Sequence, residues 1–242
     1  MIYIVMATSN IFIDEFINNK TNSKQNLSLT KNNCIRLSEN IIDINPVPIF
    51  VKTKIPNDIE INNEFHIIAA GIKEEQLYIN KNQDPNKEFG IFTSQNAYVP
   101  YNNILNTDNM YIQLLKEQIS AGISELIYTL YNYSGEYKYT ILNSWIQKYK
   151  SGTFLSPHNH LTNNSSTKTF SVAYYIDDGD PDVTQTYSGC ISFISNNNLI
   201  HFRPKSGTLL IWEDHLIHLV NPFYSKSNKE RFMLSTNISV EF

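Results

Sequence analysis

The chain has 242 residues, 41% of them hydrophobic and 17% charged, with a formal net charge of -4. That balance is globular, the length suits one large domain or two small ones, and the lack of a Lys/Arg block argues against a nucleic-acid-binding module. Two cysteines, Cys34 and Cys190, are too few for a disulfide framework and fit a reducing cytoplasm, and no run of about 18 apolar residues predicts a membrane span.

The first residues are apolar but lack a basic start and soon meet Asp14 and Glu15, so no leader is expected. Residues 1–45 are expected to form a partly irregular N-terminal segment, with the polar stretch from Asn18 to Asn33 as a loop. Val47 to Lys54, framed by Pro46 and Pro56, reads as a short strand. Residues 57–108 are weakly periodic, with turn signals at Asp84-Pro85 and Tyr98-Val99-Pro100. A packing helix is expected from Asn109 to Tyr131, capped by Asp108 or Asn109. Ile112, Leu115, Ile119, Ile123, Leu126 and Leu130 recur there at spacings of three and four.

After Gly135 the texture changes. Tyr137–Trp145, Phe170–Ile176, Cys190–Ile194, Leu199–Phe202, Thr208–Trp212 and Phe232–Val240 are short runs rich in β-branched and aromatic residues. Asp178-Gly179-Asp180-Pro181, Ser188-Gly189 and Ser206-Gly207 separate them, as in an antiparallel sandwich or barrel. Within this region stands His158-Asn159-His160. Side chains at i and i+2 of a strand share a face, so the two imidazoles can grip one ion if Phe154 to His160 is extended. His218 supplies a third imidazole and Arg231 a late cation. Imidazole suits Fe, Zn, Cu and Ni alike, so these ligands alone do not choose the metal. Binding needs neutral rings, so affinity is expected to fall below about pH 6. His215 alternates to the opposite face from His218, and Asp214 is a weaker source of a carboxylate. Trp145, Phe193 and Trp212 read as core, and the acidic turn of Asp177, Asp178, Asp180 and Asp182 as a solvated loop.

In order, the chain presents Ser144-Trp145, His158-Asn159-His160, SVAYYI from Ser171, GCISF from Gly189, PKSGTLLIW from Pro204, HLVNP from His218 and RFMLSTN from Arg231. This ordered set resembles the Fe(II)/2-oxoglutarate-dependent oxygenases, in particular a branch found in bacteria and their phages. PVPIFVKTKIPN from Pro46 resembles the start of such proteins.

The resemblance implies a mainly β fold with a flanking helix. Its core would be a double-stranded β-helix, a cupin-like jelly roll, at about 137–242 within a single domain over 46–242. It implies Fe(II) held by His158, His160 and His218, with His160 where the superfamily usually has a carboxylate. It implies 2-oxoglutarate anchored by Arg231, with Tyr175, Ser235 and Tyr149 as further contacts; Met233 departs from the usual small residue after the arginine. The implied activity is hydroxylation by a dioxygenase using O2, in the cytoplasm, of bacterial or virus-encoded origin. A cupin-type metal enzyme is the runner-up: Gly152 precedes H-x-H at a cupin-like spacing, but the glutamate expected soon after is missing between Leu161 and Thr167. A phage-type β-barrel without catalysis is the third reading.

Overall fold

The computed structural model describes residues 9–12, 35–36, 41–43, 47–71, 97–98, 103–161, 167–196 and 198–242. The loop expected from Asn18 to Asn33 and the turn at Asp84-Pro85 lie outside these residues. Thirteen strands and two α-helices are described, so the fold is mainly β, as expected.

The strands form two sheets. The larger contains β2 (Ile35–Arg36), β3 (Ile41–Asp43), β4 (Pro48–Lys52), β5 (Ala97–Tyr98), β6 (Lys138–Tyr149), β8 (Lys168–Asp177), β11 (Leu209–Glu213) and β13 (Arg231–Glu241), in the order β2-β3-β4-β11-β8-β13-β6-β5. The smaller runs β1-β10-β9-β12-β7, from β1 (Ser9–Phe12), β7 (Leu155–His158), β9 (Ile191–Ser195), β10 (Asn198–Phe202) and β12 (His218–Val220). Pairing is antiparallel except where β1 runs parallel to β10 at the sheet edge. Strands β8, β9, β12 and β13 are thus joined by crossovers between the sheets, the jelly-roll arrangement expected.

Alternation along the larger sheet builds two cores. Phe50, Phe170, Tyr174, Ile211, Leu234 and Ile238 face the helices, whereas Ile49, Val51, Ala173, Tyr175, Leu210, Trp212 and Met233 face the smaller sheet. Helix α2 (Met110–Tyr131) closes the first core with Ile112, Leu115, Ile119, Ile123, Leu126 and Ile127, all essentially inaccessible, while Leu130 is only partly buried. Of the two candidate caps, Asn109 is the one used. Its Oδ1 accepts from the Tyr111 and Ile112 amides at 2.8 and 3.4 Å, and its Nδ2 donates to Glu64 Oε1 at 2.8 Å. Gly122 lets α2 lie close to the sheet, since a Cβ there would stand 2.6 Å from Ile211 Cδ1.

Helix α1 (Asp58–Gly71) is a departure from the weakly periodic stretch read from the sequence. It buries Ile61 and Phe65, while Ile59 and Ile67 face outward at more than 60% exposure, which blurs the amphipathic pattern. Strand β6 runs four residues beyond its expected end, to Tyr149, because β13 pairs with it along its whole length. No helix among the described residues is long and apolar enough to cross a membrane.

Candidate metal centre and acid pocket

His158 ends β7 and His218 begins β12, and the two residues are directly paired across the ladder. His160 lies just past the end of β7, held by its backbone N–H donating to the Asp214 carbonyl at 2.9 Å. One ring nitrogen from each of His158, His160 and His218 lies within 4.8 Å of the others. Three imidazole nitrogens this close could be gathered by a single metal ion.

The hydrogen bonds decide which nitrogen is offered. His158 Nδ1 lies 2.7 Å from the Ser156 carbonyl, and His218 Nδ1 3.0 Å from the Leu216 carbonyl. His160 Nδ1 lies 2.7 Å from Asn237 Oδ1. Asn237 is itself oriented, because its Nδ2 donates to Asn143 Oδ1 at 3.0 Å and Ser171 Oγ donates to its Oδ1 at 3.3 Å. Each ring therefore faces an acceptor with Nδ1–H, and each Nε2 keeps its lone pair for a metal. Burial lowers all three histidines from their ordinary range. His158 falls to about 4, with the neighbouring His160 contributing, and His218 falls well below its usual value. Burial thus favours the neutral rings that a metal needs and moves proton competition for them to lower pH than a free imidazole would show.

The competing candidates fall away. His215 is half-exposed, 3.9 Å from Glu213, and neither it nor Asp214 joins the cluster. The acidic turn is a local cap: Asp177 and Asp178 side chains accept from the Gly179 and Asp180 amides at 2.9 and 3.3 Å. Trp145 and Trp212 are buried as expected, but they also wall the site. Trp212 meets His218 edge-on at 4.9 Å between centroids, and Trp145 lies 6.3 Å from His160.

The triad opens on a narrow cleft, walled also by Gln147, Leu155, Ile191, Met233 and Ser235. On β13 the inward face carries Arg231, Met233, Ser235 and Asn237 in turn, opposite Tyr149, Gln147, Trp145 and Asn143 on β6. Arg231 thus lies one strand pair beyond Met233 from the triad. It is 1% exposed, and its guanidinium carbon sits 4.7 Å from the Tyr175 ring centroid and 5.5 Å from that of Tyr149. Its Nη1 donates to the Gly189 carbonyl at 2.9 Å. Its Nε and Nη2, and the Tyr175 hydroxyl, are buried without partners among the described residues. Glu230 turns away to Lys148, at 2.5 Å. Gly179, with φ +71°, seals this end: a Cβ there would stand 2.9 Å from the Arg231 backbone nitrogen. Burial pushes Tyr175 up to about 12 against the opposing charge of Arg231, and Tyr149 is likewise raised. Both phenols stay protonated.

Arg231, Tyr175, Tyr149 and Ser235 all lie on this inward side of the sheet, but they differ in what they can offer. Ser235 Oγ and the Tyr149 hydroxyl both donate to Gln147 Oε1, at 3.2 and 3.0 Å. Gln147 belongs to no motif, and Asn237 closes the RFMLSTN stretch without a role assigned from the sequence; strand pairing turns both inward.

No protein-family model and no curated protein matches the sequence. Solved structures do match. A prolyl-4-hydroxylase from Pseudomonas putida superposes with a TM-score of 0.56 at 12% identity, over 83% of this chain and 96% of that one. A collagen prolyl hydroxylase of Paramecium bursaria Chlorella virus-1, in complex with 2-oxoglutarate, gives 0.52 at 14% identity, over 79% and 95%. HygX from Streptomyces hygroscopicus, with nickel and 2-oxoglutarate bound, gives 0.53 at 9% identity, over 80% and 83%. This chain has the 2-oxoglutarate oxygenase fold. In this oxygenase-fold chain the inward face of the jelly roll is also where the three histidines and the buried arginine lie.

Proposed function

We propose that the chain is an Fe(II)- and 2-oxoglutarate-dependent dioxygenase that hydroxylates a substrate not identified by the structure. The observation that carries this reading is Arg231. A buried cation with two unmet donors is costly unless an anion completes it, and a planar guanidinium fork matches a carboxylate. Tyr175 adds a third donor at the same place. A dicarboxylate with one end at the histidine triad and the other at Arg231 satisfies both ends. A cupin-type centre supplies no use for Arg231.

In this reading His158, His160 and His218 would hold the ion through Nε2. Once bound, iron, 2-oxoglutarate and O2 supply C–H hydroxylation, with 2-oxoglutarate leaving as succinate and CO2. The protein's share is orientation and dryness. Arg231 and Tyr175 take the distal carboxylate, and Trp145, Trp212, Ile191 and Val220 keep water from the centre. The domain over 46–242 with its core at 137–242, and the cytoplasmic location expected from the cysteine content, stand as parts of this proposal.

The test is anaerobic titration of Fe(II)-loaded protein with 2-oxoglutarate, followed by the visible charge-transfer band. The band is expected to grow and saturate. Iron binding with no response to 2-oxoglutarate would favour the cupin-type reading, and failure to bind iron would favour a barrel without catalysis.

A further inference from the structure

Gln147 is 6% exposed and stands on β6 between Trp145, at the triad end, and Tyr149, at the arginine end. Its Oε1 accepts from both the Tyr149 hydroxyl and Ser235 Oγ, which fills the two lone pairs of an amide oxygen. The amide is thereby oriented, and its Nε2, with two N–H donors, has no partner among the described residues. Gln147 lines the same cavity as the three histidines, as does Ser235, whereas Arg231 lies a strand pair beyond Met233.

A carboxylate only accepts hydrogen bonds. Ser235 and Tyr149 have already directed their hydroxyl protons at Gln147, so neither can also donate to a ligand carboxylate without releasing the amide. Free donors in this part of the cavity are Gln147 Nε2 and the Trp212 indole N–H, and of the two the amide is the one held in place by hydrogen bonds from Tyr149 and Ser235. We propose, resting on the co-substrate reading above, that Gln147 is the residue that binds the metal-end carboxylate of the 2-oxo acid, and that Tyr149 and Ser235 are positioning residues that hold its amide. The roles are then divided. Arg231 and Tyr175 read the distal carboxylate, and Gln147 reads the head group common to every 2-oxo acid. A neutral triad supplies no anionic ligand to repel that head group, and the amide holds it without adding charge.

The division is testable with two probes. Oxalate copies the head group, chelating a metal through two adjacent carboxylates, but lacks the distal acid; 2-oxoglutarate has both ends. Binding of each to Mn(II)-loaded full-length protein would be measured by calorimetry, without turnover. Gln147→Leu is expected to weaken both oxalate and 2-oxoglutarate by about tenfold or more, the worth of a hydrogen bond to a charged group. Gln147→Glu, nearly isosteric, is expected to weaken both further at pH 7.5 and to recover as the pH is lowered and the new carboxyl becomes a donor. Arg231→Met is expected to weaken 2-oxoglutarate and leave oxalate unchanged. Ser235→Ala is expected to cost affinity in the wild-type background and nothing further alongside Gln147→Leu. Oxalate affinity unchanged in both Gln147 variants would overturn the assignment, as would loss of 2-oxoglutarate alone. If the wild-type protein binds metal but neither probe, the co-substrate reading itself fails, and this inference with it.

Discussion

Replacing Arg231 with Met separates a ligand anchor from a structural ion. Met has similar length and no charge, so the variant removes one charge-assisted hydrogen bond, to the Gly189 carbonyl, and two cation–π contacts, with Tyr149 and Tyr175. Those losses are worth about 1.5–3 kcal/mol and about 0.5–2 kcal/mol each. Against them stands the relief of a buried cation with two unmet donors, at about 1–3 kcal/mol per donor plus several kcal/mol of desolvation. The opposing sums are of similar size. Ligand-free Arg231→Met protein is therefore expected to unfold within about 2 kcal/mol of the wild type, in either direction. Ligand binding should behave differently. A carboxylate left without its charged partner costs about 3–5 kcal/mol, a hundred- to several-thousand-fold in affinity. In urea unfolding of metal-loaded protein, 2-oxoglutarate at 100 times its dissociation constant adds about 2.7 kcal/mol to the wild type, and the variant should gain almost none. Severe destabilisation of the ligand-free variant, or an undiminished gain from 2-oxoglutarate, would refute the reasoning.

Asn237→Leu removes the acceptor that holds His160 Nδ1, so metal affinity is expected to fall about 10–100-fold, measured by competition with a chelating dye. Met233→Ser clears the position between Gln147 and Arg231, so 2-oxoglutarate affinity should rise while oxalate affinity, measured the same way, stays level. Metal-free protein should lose stability as pH falls through 6.5 toward 4. Burial depresses to about 4 the folded values of His158 and of His201, which lies on β10 with its Nδ1 2.6 Å from Ser192 Oγ, so the unfolded chain binds more protons in that window. By linkage His158 costs on the order of 2 kcal/mol at pH 5, the more weakly buried His201 less, and both almost nothing above pH 7. Thermal unfolding from pH 7.5 to 4.5 would show it, and a flat profile would contradict it.

The parts legible in the sequence were those with strong local patterns. The face of α2 repeats every three or four residues, and the late strands are β-branched runs between Gly and Pro turns. H-x-H followed by a distant His and Arg needs only strand alternation to converge. What escaped depended on partners far along the chain. Ile61 and Phe65 of α1 were masked by the outward Ile59 and Ile67. Strand β12 is three residues long and exists because β7 and β9 flank it. Gln147 and Asn237 look like solvent-facing polar residues until the pairing of β6 with β13 turns them inward. The sequence places Ser235 and Tyr149 beside the co-substrate, and only the folded strands show that both hydroxyls also reach Gln147.

The most direct measurement is a crystal structure of the protein soaked anaerobically with Mn(II) and 2-oxoglutarate. The account predicts one ion bound through Nε2 of His158, His160 and His218, the metal-end carboxylate beside Gln147, and the distal carboxylate on Arg231 and Tyr175. An ion that leaves out His160 or His218, or a 2-oxoglutarate whose distal end lies away from Arg231, would contradict it.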